Sequence, residues 1–399
     1  MRIVAGPPVK GQDFMFRDRE VRLAKRSLLD GSSLLVKGWR RIGKSSLLIE
    51  TRRQLEEDGG VTSLYIDVQE LQSISEFFTA FLNALPQNKL QQLRGFWDGA
   101  KRLPGKLMDA IQRRIRSANA GGGGFEAGVE FDKDIRDYWE PLKASVEMLA
   151  REHLTGGTRI VLLIDELPFF LENMHRRTEN VDDIRLVLAT LRAWRNAGLA
   201  MAVAGSVSIE AFLEDLKIEG LVINDLTRID LQPLSETEAV AFTEALAGVA
   251  GLGDWNEAST TALLGELPDH FPFFIQTAMN FLRVEEHATP EVIAEIFENQ
   301  VQPQIFASFY QQFDERLERR FDGDLRKTAE TVLNTMASRA DGKITNAEIN
   351  TICEAAGQDP LRVTRRLELA EFIRTDLKSS GFRLVQNLLK TWRRARGGV

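Results

Sequence analysis

Residues Ser33 to Glu50 read SLLVKGWRRIGKSSLLIE, and this stretch decides the fold. Leu34, Leu35 and Val36 form a short apolar run of the kind that makes a buried strand. Gly38, Gly43, Lys44 and Ser45 follow, and then a helical run over Ser46–Leu55. Glycine at 38 and 43 lets the backbone fold tightly enough for its N–H groups to converge on phosphate oxygens. A helix beginning near Lys44 adds the positive end of its dipole. Lys44 is placed to reach the β- and γ-phosphates, and the Ser45 hydroxyl to complete a Mg²⁺ shell. Strand, loop and helix in this order define a Walker A phosphate loop. Gly38, Trp39, Arg40, Arg41, Ile42, Gly43, Lys44, Ser45 and Ser46 are therefore the expected nucleotide-binding residues. ATP and GTP both fit. The alternative, a glycine-rich turn that holds no ligand, leaves the strand before and the helix after unexplained.

The second informative stretch is RIVLLIDE, Arg159–Glu166. An apolar run that ends in Asp-Glu is the pattern of a Walker B strand. Asp165, at the C-terminal edge of a parallel strand, would hold Mg²⁺ directly or through water. Glu166 is placed to orient and deprotonate the attacking water. An acidic pair after a strand also serves as a helix N-cap, but this one lies downstream of an intact Walker A. The second acid points to the branch of P-loop proteins that hydrolyse rather than merely bind. LAMAVAGS (199–206) reads as a further buried strand, ending in Ser206 where a hydroxyl can sense the γ-phosphate.

The chain has 399 residues, enough for two or three domains, with 43% hydrophobic and 27% charged residues. No run of eighteen apolar residues and no signal-peptide pattern is found, so neither membrane insertion nor secretion is expected. A single cysteine, Cys353, excludes an internal disulfide framework and agrees with a reducing cytoplasm. His153, His175, His270 and His287 are scattered without metal-ligand spacing. The net charge of −7 conceals an asymmetry: Leu325–Val399 carries 14 basic and 8 acidic residues (+6), leaving 37 against 50 (−13) elsewhere. A basic C-terminal piece suits nucleic acid or an acidic partner, and equally a solvated charged face.

The coarse reading is an α/β P-loop NTPase core of the ASCE or AAA+ kind over residues 1–233, built on a parallel sheet. An insertion occupies about 86–140. Its basic amphipathic pattern, Leu103 to Arg116, suits either a partner-binding arm or a helix packed on the parent domain, and the second is favoured. Four glycines, 121–124, and an alternating strand pattern, 125–131, follow. Ahead of the P-loop, Arg17 and Arg19 either contact nucleotide or solvate a helix start, and the sequence favours solvation. Residues 234–322 are wholly helical, with helices expected over 235–247, 257–265, 273–287, 290–299 and 303–320, as in a nucleotide lid. Residues 323–399 read as three helices, a hairpin and a last helix, the plan of a winged helix. Its third helix shows Arg362, Arg365 and Arg366, its wing Lys378, and its tail Arg393, Arg394 and Arg396, all able to touch DNA phosphates.

With these residues in place, the chain resembles the archaeal-type ATPase family, part of the MNS clade of STAND NTPases within the AAA+ group and related to origin-recognition ATPases. The resemblance rests on GWRRIGKSSLL (38–48), LLIDELPFFL (162–171) and RLVQNLLKTW (383–392). It implies ATP or ADP with Mg²⁺, a hydrolytic set of Lys44, Ser45, Asp165 and Glu166, and Ser206 at the sensor position. FMFRDRE aligns with a motif that has glycine where this chain has Phe16, and implies Arg17 as a base-side contact. HFPFFIQ aligns with a Gly-x-Pro lid motif from which only Pro272 is matched. No arginine finger is located; Arg40, Arg41, Arg192 and Arg195 are the candidates. The expected activity is that of a regulated ATPase switch with a protein partner, with DNA binding through the winged helix and oligomerisation as further expectations. The rivals are a DNA-acting AAA+ ATPase and a module that holds nucleotide without turnover.

Overall fold

A five-stranded, fully parallel sheet organises the first half of the molecule, its strands lying side by side in the order Val61–Asp67, Arg159–Asp165, Ala200–Gly205, Leu34–Lys37 and Thr227–Asp230. The computed structural model describes residues 1–100, 139–152, 157–205, 208–220, 223–376, 378 and 380–397. Two compact units emerge, one spanning Pro8–Leu231, the other combining Met1–Pro7 with Gln232–Val399.

In the first unit, α1 (Asp18–Leu29) precedes β1 (Leu34–Lys37), α2 (Lys44–Asp58), β2 (Val61–Asp67), α3 (Ile74–Ala84) and α4 (Gln87–Ala100). A helix over Trp139–Arg151 leads to β3 (Arg159–Asp165), followed by helices Leu167–Thr178 and Val181–Asn196. β4 (Ala200–Gly205), a short helix Ile209–Asp215 and β5 (Thr227–Asp230) complete the unit. The inner strands β1, β3 and β4 are apolar runs because both their faces are covered, as a parallel sheet requires, whereas the edge strand β5 buries only Ile229. One face, through Leu35, Leu64, Ile66, Leu162, Ile164, Met201 and Val203, joins a core with α3 and the helices after β3. There Phe78 packs edge-on against Trp139 and Trp194. The other face carries α1 and α2.

The second unit is mainly helical. Helices Glu236–Ala250, Glu257–Glu266, Pro272–Leu282 and Pro290–Ile296 are followed by a π-helical turn, Phe297–Val301, that runs straight into Gln302–Arg320. Two expectations change here. The helix expected to reach 287 stops at Leu282, where Arg283 closes it. The residues beyond are anchored elsewhere, Asp254 receiving the Ala288 amide at 3.1 Å. The helices expected as 290–299 and 303–320 are joined, because the π turn keeps the backbone helical through 297–301.

Then come helices Gly323–Ala337, Asn346–Ala355 and Pro360–Leu369, strands β7 (Ile373–Asp376) and β8 (Gly381–Leu384), and helix Leu388–Ala395. A third strand, β6 (Lys343–Thr345), pairs antiparallel with β8 and was not expected from the sequence. It is only three residues long, too short to show a period. Trp392, fully buried, stacks on Phe372 at 5.6 Å between ring centres and meets Phe313 edge-on at 5.3 Å. Among the described residues no helix is long and apolar enough to cross a membrane.

Candidate nucleotide site

The strand order places the motif residues at one edge of the sheet. Val36 pairs with Ala204, and Ile164 with Val203, so Asp165 reaches the level of Val36 one strand beyond β4. The chain leaves β1 after Lys37, into the loop Gly38–Gly43. Walker A and Walker B therefore emerge at the C-terminal edge of the same parallel sheet, where α/β proteins bind ligands.

The loop has the geometry that its glycines allow. Gly38 has φ +151°, and a Cβ there would meet Ile42 Cγ2 at 2.9 Å and Leu231 Cβ at 3.2 Å. No side chain fits. Gly43, at φ +108°, caps α2 without any side-chain hydrogen bond, and a Cβ built on it would meet nothing within 4 Å. The space at the α2 start is thus open, and its first-turn amides have no side-chain cap, which suits an anion. Lys44 is buried, and its Nζ donates to Gly38 O at 2.9 Å and Trp39 O at 3.0 Å. It thereby lies across the loop it would share with a phosphate. Trp39 and Ile42 are buried and pin the loop from below, whereas Arg40 and Arg41 are exposed. Arg41 takes a left-handed φ of 67°. Ser45 is partly exposed, while Ser46 is buried with its Oγ accepting the Val9 amide at 3.1 Å. Gly11 N–H likewise donates to Glu50 Oε2 at 2.8 Å, so the segment before α1 is fastened along α2.

Asp165 is 1% exposed. Its Oδ1 accepts the Glu166 amide at 3.1 Å and its Oδ2 the Tyr65 hydroxyl at 2.9 Å. Glu166 is half-buried at φ 57°, the left-handed N-cap of helix Leu167–Thr178, with no side-chain cap bond. Such a backbone costs an acidic residue on the order of 1 kcal/mol and is found at functional sites. The turn is held from behind: a Cβ on Gly205 would meet Pro168 Cδ at 2.4 Å. Gly205 and Tyr65 are supporting residues that the sequence reading missed; both depend on contacts between distant segments.

Other expectations fare differently. Ser206, His153 and the expected elements within 103–131 lie outside the described residues. Arg17 does not solvate its helix start; it is 8% exposed and pairs with Glu20 at 3.6 Å. Phe16 keeps a left-handed φ of 63° at the position where the resembling motif has glycine. Arg195 is spent on Asp225, its Nε and Nη2 donating at 2.7 and 2.8 Å, which removes it as a finger candidate. Pro272 opens its helix in the second unit, with Phe271 as N-cap. Arg362 and Arg365 on helix Pro360–Leu369 and Lys378 between β7 and β8 are exposed. Arg366 instead donates to Arg320 O at 3.0 Å, at the end of the long helix. Arg393 is 7% exposed, bonded to Asn334 and stacked over Trp392 at 4.9 Å, so it is part of the core rather than a phosphate contact. Arg396 pairs with Asp314.

No protein-family model matches the chain, and no curated protein matches it by sequence. Solved structures do. A Walker-type ATPase of Pyrococcus abyssi superposes with a TM-score of 0.62 at 16% identity, covering 99% of this chain and 100% of that one. The ORC2 protein of Aeropyrum pernix, solved in ADPNP-ADP complexes, gives 0.51 at 11% identity, covering 97% and 96%. The likeness is one of fold: a parallel sheet core with helices, followed by a mostly helical C-terminal part.

Proposed function

We propose that the protein binds ATP with Mg²⁺ and hydrolyses it, working as a STAND-like or AAA+ switch in the cytoplasm. One observation carries this reading: a buried lysine and an uncapped helix start at an open glycine turn, on the sheet edge that also bears Asp165-Glu166. The amides of residues 43–46 and Lys44 hold the phosphates. The Ser45 hydroxyl and Asp165 are the residues suited to Mg²⁺, which when bound offsets charge on the β- and γ-phosphates. Glu166 accepts the proton of the attacking water. Arg17, Ser206 and Pro272 are assigned to nucleotide sensing through the resemblance.

The switch reading adds a helical lid (234–322) and a winged helix (323–399) that reports lid position to a protein partner. One contact within the second unit supports it. Asp269, three residues before Pro272, accepts the amides of Asn387 and Leu388 at 3.1 and 2.7 Å and so caps the last helix. A shift of the Pro272 helix is thereby coupled to Leu388–Ala395.

A second reading, a DNA-acting ATPase, is favoured by the exposed Arg362, Arg365 and Lys378 on a segment of charge +6. Phosphate release by wild type and Lys44→Ala, each with and without duplex DNA, tests both. Slow release that Lys44→Ala abolishes supports the switch. DNA stimulation that fades with salt and with loss of Arg365 supports the second reading. ADP that co-purifies, with no release under any condition, would leave only a nucleotide-holding module.

A further inference from the structure

β2 and β3 run in parallel register, Tyr65 beside Leu163 and Asp67 beside Asp165. Residues two apart share a face, so Tyr65 and Asp165 project together, opposite to the face on which Leu64, Ile66, Leu162 and Ile164 enter the core. This is the face that α2 covers. From two residues back along the strands, the Tyr65 hydroxyl reaches forward and donates to Asp165 Oδ2 at 2.9 Å. Oδ1 is held by the Glu166 amide at 3.1 Å.

We propose that Tyr65 is a positioning residue for the Mg²⁺ site, fixing the Asp165 carboxylate for the ion. The proposal rests on the nucleotide reading above. Each carboxylate oxygen accepts in two directions. The hydroxyl and the amide take one on each, which locks the carboxylate plane and leaves one acceptor direction per oxygen for the ion or its water. A ligating carboxylate that is itself hydrogen-bonded is the usual arrangement at metal sites, and loss of such a partner costs about 10- to 100-fold in metal affinity. The tyrosine ring supplies the reach: its hydroxyl spans the step between neighbouring strands, which no shorter hydroxyl side chain at this position does.

The test is Tyr65→Phe, which removes only the hydroxyl. ADP binding is measured in EDTA and across a Mg²⁺ titration, and Mn²⁺ uptake in the presence of ADP is followed by electron paramagnetic resonance. Wild type should bind the ion with ADP. Tyr65→Phe should need about 10- to 100-fold more ion, with unchanged ADP affinity in EDTA. A purely structural tyrosine would instead lower the ion-free affinity as much as the affinity with ion, and that result overturns the proposal. An ion requirement equal to wild type overturns it as well. In an Asp165→Asn background, Tyr65→Phe should change ion affinity no further; an undiminished effect there would mean that Tyr65 does not act through Asp165. Wild type that binds no nucleotide, with or without ion, overturns the nucleotide reading and this assignment with it. Failure of the Tyr65 arm alone leaves that reading standing.

Discussion

The two units close their helix starts to different extents. In the second, Ser235, Asn256, Thr289, Thr345 and Asp359 each place a side-chain oxygen on a first-turn amide, and Asp269 does so for the last helix. In the first, Ser73, Asn180 and Ser208 do the same. α1, α2 and helix Leu167–Thr178, however, begin at Arg17, Gly43 and Glu166 with no side-chain cap. Helix Pro272–Leu282 in the second unit also lacks one. The starts at Gly43 and Glu166 are those of the Walker A and Walker B stretches, whereas Ser206, also assigned to nucleotide, is followed by a helix whose start Ser208 closes. The helix from Gly323 lacks a side-chain cap too and matches no motif. A capped start has given its donors away, whereas an uncapped one keeps them for a ligand. In the first unit the Walker A and Walker B helices are thus left open, whereas Ser73, Asn180 and Ser208 close their neighbours.

The sharpest way to break this division is at Glu166. Glu166→Gln should lower the rate of ATP hydrolysis about 10²- to 10⁴-fold while ATP affinity by calorimetry holds, since no donor is removed. A basal rate that survives would deprive the strained N-cap of its role. A smaller effect is expected behind it. Gly205→Ala must displace Pro168, and overpacking of this kind costs about 1–3 kcal/mol, read as a lower urea midpoint. An unchanged midpoint would mean that the turn is not held there. On the scaffold side, Ser235→Ala should cost about 1 kcal/mol in the same assay and leave ATP affinity untouched. A change in affinity would blur the distinction between the two kinds of helix start.

Two further effects concern pH, and they have opposite signs in the two units. Burial works against ionisation of Glu50, yet bonds from Arg53, the Gly11 amide and Gln54 prevail and hold its pKa at about 2, below its ordinary 4.5. Its contribution to stability is present above pH 4.5 and lost as pH falls through about 2. Burial raises Asp269 from 3.8 to about 6, the Leu388 and Asn387 amides only partly offsetting it. Its contribution is full below pH 3.8 and lost as pH rises through about 6. Glu50→Gln should therefore flatten the acid limb of a stability–pH curve, and Asp269→Asn the limb between those two values. Flattening in the reverse places would refute both assignments.

How much of this was legible in the sequence follows from distance along the chain. The P-loop, both Walker strands and the capping box at Ser235…Glu238 are local patterns, and the structure holds them at the expected residues. Tyr65 and Asp165 are 100 residues apart, and their bond depends on strand register that no local period encodes. The same holds for Asp269 and Asn387, separated by 118 residues. Arg366 and Arg393 look like surface charges because a helical period shows a residue's spacing but not which neighbour accepts its proton. Phe16 shows the converse case: the side chain departs from the glycine of the motif, yet the backbone keeps the left-handed turn.

The central claim, that the amides at the start of α2 and Lys44 together grip a triphosphate, is tested most directly by calorimetric titration of ATP with Mg²⁺ into wild type and Lys44→Ala. A charged hydrogen-bond donor contributes about 1.5–3 kcal/mol, so the variant should bind roughly 10- to 100-fold more weakly. Equal affinity in the two proteins, or no binding by wild type, would contradict the account.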